Sequence, residues 1–228
     1  MGIRRHLRYS EVRTRNSIKG WGDQLKDVPA FVLGNSPALN DEDLSTLEPF
    51  VTIGLNRAFY KIDPTILLWQ DIELWFTERK KILRLNAIKV CRDTADPQNR
   101  FFHYRLRPGN FKLPESPNNL HGFGTTGPIG VQLAYALGCN PIVILGMDCV
   151  CRGHSTDFYG RNRHHKPHTL SNCRKGLKWI KKEVASKREV INCSSDNEYF
   201  KYTPLEEVVA RLTPKYAQNR GVWASKLV

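Results

Sequence analysis

No stretch of this chain approaches the roughly 20 consecutive apolar residues that a bilayer-spanning helix requires, which excludes an integral helical membrane protein. The first residues, Met1-Gly2-Ile3-Arg4-Arg5-His6, lack the apolar core of a signal peptide. His6 stands where a myristoylation signal has Ser or Thr. There is no internal repeat and no low-complexity tract, so solenoids and disordered arrays drop out. The six cysteines, at 91, 139, 149, 151, 173 and 193, are scattered through a chain too large to need staples. They are expected as reduced thiols in a cytoplasmic protein. Cys149-Val150-Cys151 with His154, His164, His165, His168 and Cys173 matches no standard zinc spacing.

Acidic residues are also scarce. The 228 residues carry 35 Lys/Arg against 22 Asp/Glu, a net charge of +13. Residues 1–19 hold six basic residues and one acid, residues 79–112 ten and two, and residues 161–188 ten and one. These three blocks exceed the net charge of the whole chain, so the excess is regional. They are expected to form part of one face that meets an anionic partner.

What is present is a series of apolar strands that end on polar residues. Phe31-Val32-Leu33 runs into Gly34-Asn35-Ser36-Pro37, which reads as a buried strand, a tight turn and a helix start. Gly34 leaves the backbone open to a ligand, and Asn35 and Ser36 add short donors and acceptors. Val51–Asn56, Pro64–Asp71, Pro141–Asp148 and Glu189–Ser194 read the same way and close on Asn56, Asp71, Asp148 and Ser194. Helices are expected from Asn40 or Asp41 to Leu47, over 72–85, from Gly127 to about Leu137, from Ser171 to about Lys187, and over Pro204–Leu212. Ala87–Arg92 is a further strand. The alternation Phe101-Phe102-His103-Tyr104-Arg105-Leu106-Arg107 suits an edge strand followed by a long loop, or a stacking surface for single-stranded nucleic acid. Strands alternating with helices imply an α/β, Rossmann-like, mainly parallel sheet with helices on both faces. The expected organisation is a basic arm over 1–28, a nucleotide-binding domain over 29–212 and a tail over 213–228. In such sheets a ligand sits beyond the carboxyl strand ends.

The motif order Leu33-Gly34-Asn35-Ser36-Pro37-Ala38-Leu39, Thr52–Ala58, Pro64–Asp71, Gly124-Thr125-Thr126-Gly127, Ile142–Asp148 and Asn192-Cys193-Ser194 resembles the MptE-like family. That family includes archaeal 6-hydroxymethylpterin diphosphokinases. The same order resembles the bacterial sialyltransferases of the Campylobacter type, which use CMP-sialic acid. The resemblance implies that Gly34, Asn35 and Ser36 meet a phosphate or sugar. It implies that Asn56 meets ribose or base, that Thr125, Thr126 and Gly127 bind phosphate at a helix N-terminus, and that Gly146 and Asp148 border the nucleotide. The chain departs from the family at Ser36, commonly Gly, and at Ala38, commonly Ser.

The two relatives imply different chemistry. A diphosphokinase needs Mg²⁺, for which Asp71 and Asp148 are the candidate ligands. A sialyltransferase-like enzyme needs a general base and no metal. The loop after Asp148 supplies His164 or His165 as that base. Tyr159 would support a departing phosphate, and Arg161 and Arg163 would neutralise it and hold the acceptor. The charge and the histidines favour a glycosyltransferase with a nucleotide-sugar donor and an anionic acceptor, lipopolysaccharide or nucleic acid such as DNA. The alternatives are the Mg²⁺-dependent pyrophosphokinase and a non-catalytic nucleic-acid-binding protein.

Overall fold

The computed structural model of the chain describes residues 16–107, 112–162, 168–216 and 220–228. Eight strands form one sheet: β1 (Ala30–Leu33), β2 (Val51–Leu55), β3 (Ile66–Trp69), β4 (Ile88–Arg92), β5 (Phe102–Arg107), β6 (Asn119–His121), β7 (Ile142–Leu145) and β8 (Val190–Asn192). The spatial order is β6-β5-β4-β3-β2-β1-β7-β8, and every neighbouring pair is parallel. This is an α/β Rossmann-like fold. Strands β1, β2, β3 and β7 are buried along their whole length, which explains why they read as unbroken apolar runs.

Side chains alternate between the two faces of the sheet. On one face Ala30, Val32, Ile66 and Leu68 pack with α2 (Gly127–Ala136), α3 (Thr169–Trp179) and the π-helical turn Ile180–Val184 that continues it. On the other, Phe31 and Leu33 pack with Leu39, Leu47 and α4 (Leu205–Tyr216), and Leu67 and Trp69 pack with α1 (Ile72–Arg84). The basic blocks therefore do not share one face. Arg79, Lys80, Lys81 and Arg84 ride on α1, whereas Arg174, Lys175, Lys178, Lys181 and Lys182 ride on the opposite layer.

Several expectations change. The stretch 101–107 is not an edge strand: β5 lies between β4 and β6, and the three-residue β6 is the edge. No α-helix follows β1. Pro37–Asn40 and Leu44–Leu47 are 3₁₀ turns instead, the second capped by Asp43, whose Oδ1 accepts from Ser45 N at 3.1 Å. The helix expected from Ser171 begins earlier, with His168 as N-cap. Residues 1–15 of the expected basic arm lie outside the described residues. Its remainder is folded in, with Ile18, Trp21 and Leu25 in the core and the Trp21 ring 4.9 Å from that of Phe102. In the expected tail, α4 continues to Tyr216, α5 spans Arg220–Ala224, and Trp223 and Leu227 are buried.

Candidate functional site

The sheet reverses direction at β1. The chain adds β2 to β6 on one side, then returns to place β7 on the other. Parallel strands on either side of such a switch point diverge at their carboxyl ends and leave a crevice. Residues Gly34, Asn35, Ser36, Leu55 and Asn56, from the ends of β1 and β2, line one side of it. Gly146, Met147, Cys149 and Val150 follow β7, and Thr125, Thr126 and Gly127 open α2. Gly34 is required for a reason other than access to a ligand: a Cβ there would overlap the Gly146 carbonyl oxygen. Gly146 itself has φ +60°, and a Cβ on it would lie 2.6 Å from Leu39 Cγ. The two glycines let the ends of β1 and β7 approach, and Ser36 N donates to Gly146 O at 3.0 Å.

Polar groups gather at this crevice. Asn56 sits in the left-handed region at φ +49°, unusual for a residue with a side chain. Its Nδ2 donates to Thr126 Oγ1 at 3.2 Å, so β2 and the start of α2 are tied across the cleft. Asn35 Nδ2 donates to Leu55 O at 2.9 Å. Ser36 Oγ accepts from Ala38 N at 3.1 Å and donates to Asp148 Oδ2. Among the described residues, three buried atoms, Asn35 Oδ1 and Thr125 Oγ1 at the crevice and Asp148 Oδ1 beside Ser36, have no hydrogen-bond partner. Buried polar atoms are rarely left unmatched without cause. At the crevice, the Asn35 acceptor and the Thr125 hydroxyl beside a helix N-terminus, whose first N–H groups have no partner within the helix, suit a ligand with both hydroxyls and a phosphate.

The loop after β7 closes over this arrangement. Arg152 holds it down, donating to Asp41 at 2.6 Å, Asp196 at 2.8 Å and Ser195 at 2.8 Å. Phe158 N donates to Asn35 O at 2.8 Å. Thr156 and the buried Asp157 line the crevice, as do Thr169 and Leu170 of α3. Tyr159 lies at the rim, where Asn162 Nδ2 donates to its hydroxyl at 3.1 Å and the Arg57 guanidinium is 5.4 Å from its ring centre. Burial, then the Asp157 charge, push the phenol up to about 12. Tyr159 is therefore a hydrogen-bond donor at neutral pH and not a base. Arg161 is exposed nearby. Arg163, His164 and His165 lie outside the described residues.

The expectation that all six cysteines are reduced is corrected here. Cys149 and Cys173 form a disulfide across 24 positions, with Cα atoms 5.7 Å apart. The fold brings the first residue after Asp148 against the second turn of α3, a proximity invisible in the linear spacing. Cys91, Cys139, Cys151 and Cys193 are free thiols.

Of the described residues expected at the site, Tyr159 and Arg161 of the loop and Asp71, Asp148 and Ser194 of the strand ends do not line the crevice. Asp71 precedes α1 as its exposed N-cap residue. Strand β3 stands three strands from β7, so at about 4.8 Å per strand the ends bearing Asp71 and Asp148 are roughly 14 Å apart. One Mg²⁺ does not bridge carboxylates at that separation. Ser194 is buried behind the crevice, where its Oγ accepts from Met147 N at 3.1 Å. Asp148 is buried beside Ser36. Burial raises its carboxyl above the ordinary range, against the hydroxyls of Ser36 and Ser194.

A carboxyl raised in the folded state contributes stability below its unfolded value, about 3.8. That contribution is lost as pH rises through the folded value. Asp148→Asn is therefore expected to gain in melting temperature relative to the wild type as pH rises above about 4. A gap between the two proteins that stays constant as pH rises would reject the buried carboxylate.

Residues that sequence reasoning did not single out for the site are Arg57, Met147, Thr156, Asp157, Asn162 and Thr169, and His168 figures there only among the loop histidines. His168 caps α3 directly before the two crevice-lining residues Thr169 and Leu170, and its side chain is exposed. The signal available for Asp157 and Asn162 was their place in a loop directly after a strand at the switch point.

No family model matches the chain, and no curated protein matches it. Among solved structures the chain is similar to the sialyltransferase CstII from Campylobacter jejuni, determined in complex with a substrate analogue, cytidine-5'-monophosphate. The TM-score is 0.50 at 16% identity, covering 78% of this chain and 86% of that one. A likeness at this identity shows a shared sialyltransferase-like fold. Among the described residues no helix is long and apolar enough to cross a membrane.

Proposed function

We propose that the protein is a nucleotide-dependent transferase that moves a sugar from a nucleotide-sugar donor, a cytidine one by preference, to the hydroxyl of an anionic acceptor. The observation that carries this reading is the crevice at the β1/β7 switch point, where Asn35 and Thr125 present unmatched polar atoms beside the start of α2. The fold likeness to a sialyltransferase determined with cytidine monophosphate supports the same reading.

In the proposed reaction the donor phosphate lies at the N-terminus of α2 with Thr125 and Thr126, and Asn35 and Asn56 hold the nucleoside. An imidazole takes the proton of the acceptor hydroxyl. The acceptor oxygen forms a bond to the anomeric carbon as the bond from that carbon to the phosphate oxygen breaks. The departing phosphate keeps the electron pair and is stabilised by the helix N-terminus, with Tyr159 as donor and Arg161 as counter-charge. Arg161 and the basic residues of α3 would give an anionic acceptor such as lipopolysaccharide or nucleic acid its counter-charges. His164 and His165 remain the base candidates of the sequence; of the described histidines, His168 is the alternative, supported by its place directly before the crevice residues Thr169 and Leu170. The pyrophosphokinase alternative is weakened by the separation of Asp71 from Asp148.

Calorimetry with CMP, UDP, GDP and ATP, each with and without Mg²⁺, tests the reading. CMP is expected to bind without metal. Asn56→Ala is expected to weaken that binding roughly 5- to 150-fold through the loss of a buried hydrogen bond. Binding restricted to ATP with Mg²⁺ would return the pyrophosphokinase reading.

A further inference from the structure

Away from the crevice, β4 and β5 pair in parallel with Cys91 opposite His103. The crossover between them, from Asp93 to Phe101, contains no helix, and its Asp96 is buried. The Asp96 carboxylate accepts from Gln98 N at 3.2 Å, Phe101 N at 2.8 Å and Arg100 N, so three backbone donors fix its position. His103 Nε2 lies 3.2 Å from Asp96 Oδ2. The Cys91 sulfur, an Asp96 oxygen and a His103 ring nitrogen all lie within 4.8 Å of one another, and all three residues are buried, at 0%, 4% and 6% exposure. His103 N also donates to Asn16 O at 2.8 Å, which links the cluster to the N-terminal segment.

We propose that Cys91, Asp96 and His103 form a structural site for Zn²⁺. Four features support it. Sulfur, nitrogen and oxygen donors together select a borderline metal over Mg²⁺ or Ca²⁺. An ion with bonds of about 2.0–2.1 Å has a tetrahedral ligand–ligand edge of about 3.3 Å, close to the 3.2 Å between His103 and Asp96. A thiolate and a carboxylate neutralise a divalent cation, and with neutral imidazole the buried cluster carries no net charge, which avoids the cost of an uncompensated ion. The backbone donors on Asp96 provide the outer support that orients a ligand. Near-complete burial leaves no path for a substrate, so the role is structural, with three protein ligands among the described residues. On binding, the thiol proton leaves to solvent, and the imidazole turns its Nε2 lone pair to the ion with its proton on Nδ1. The ion would clamp the helix-free crossover to the strands on either side.

Elemental analysis of the full chain after dialysis is expected to find one Zn²⁺ per protein. Metal-free protein titrated with Co²⁺ should develop a thiolate-to-cobalt charge-transfer band and tetrahedral d–d bands, saturating at one ion per chain. Both signals should be lost in Cys91→Ala, and Zn²⁺ should raise the melting temperature of the wild type by several degrees without raising that of the variant. If Cys91→Ala does not fold, His103→Gln with the thiol intact is expected to show weakened Co²⁺ binding, at least 10-fold by titration. Metal-free wild type that gives no thiolate band with Co²⁺, or an unchanged band in Cys91→Ala, overturns the site. Because this readout involves no nucleotide, it is independent of the proposed transfer activity.

Discussion

His168→Ala is expected to slow sugar transfer by about 10²- to 10⁴-fold, the usual contribution of a positioned general base, while leaving nucleotide affinity within about twofold. His168 precedes Thr169 and Leu170, which line the crevice, and its backbone carbonyl accepts from Asn172 N at 2.9 Å. The start of α3 thus fixes where the ring emerges, but the side chain contributes nothing to the buried core. A drop in turnover with unchanged CMP affinity assigns the residue to the chemical step. Turnover equal to wild type would move the base to His164 or His165. A parallel loss of CMP binding would make His168 part of the donor site instead.

Reducing the Cys149–Cys173 bond is expected to produce the largest change in stability. Closing a loop of about 24 residues removes chain entropy from the unfolded state worth about 3.5 kcal/mol in the loop-entropy treatment. For a domain of this size that is a fall of roughly 7–14 °C in melting temperature. Cys173→Ser should melt like the reduced wild type and should not respond to reductant. Both cysteines line the crevice, so loosening the bond also frees α3 from the end of β7. Nucleotide affinity should fall along with stability. A melting temperature unaffected by reductant, with both thiols open to alkylation beforehand, would mean that the bond is absent from the isolated protein.

The parts of this molecule that were legible in the sequence are those whose burial is continuous along the chain. Strands β1, β2, β3 and β7 are covered on both faces, so each shows as an apolar run with a polar end. The edge strand β6 is Asn-Leu-His, with one buried residue, and carries no such pattern. Asp41, Glu42 and Asp43 suit a helix start after β1, yet Pro37 and the short span to Leu47 leave room only for single 3₁₀ turns. Asp71 was grouped with Asn56 and Asp148 because all three end strands. Strand order decides which ends meet, and order is a property of long-range pairing that local pattern does not contain. The disulfide and the cluster of Cys91, Asp96 and His103 were hidden for the same reason.

The position of β1 between β2 and β7 also has a consequence on the ribosome. Ala30 pairs with Val51 on one side and with Ile142 on the other. The first partner is made soon after β1, and the second only about 110 residues later. At 5–20 residues per second, the side of β1 that will receive β7 stays open for on the order of 6–20 s. During that interval the nascent chain carries six of the eight strands, β1 through β6, with the wholly apolar β1 at an edge. Exposed edges of this kind recruit other chains, so this protein is most vulnerable to misassociation in the middle of its own synthesis, and the arrival of Ile142–Leu145 ends the hazard.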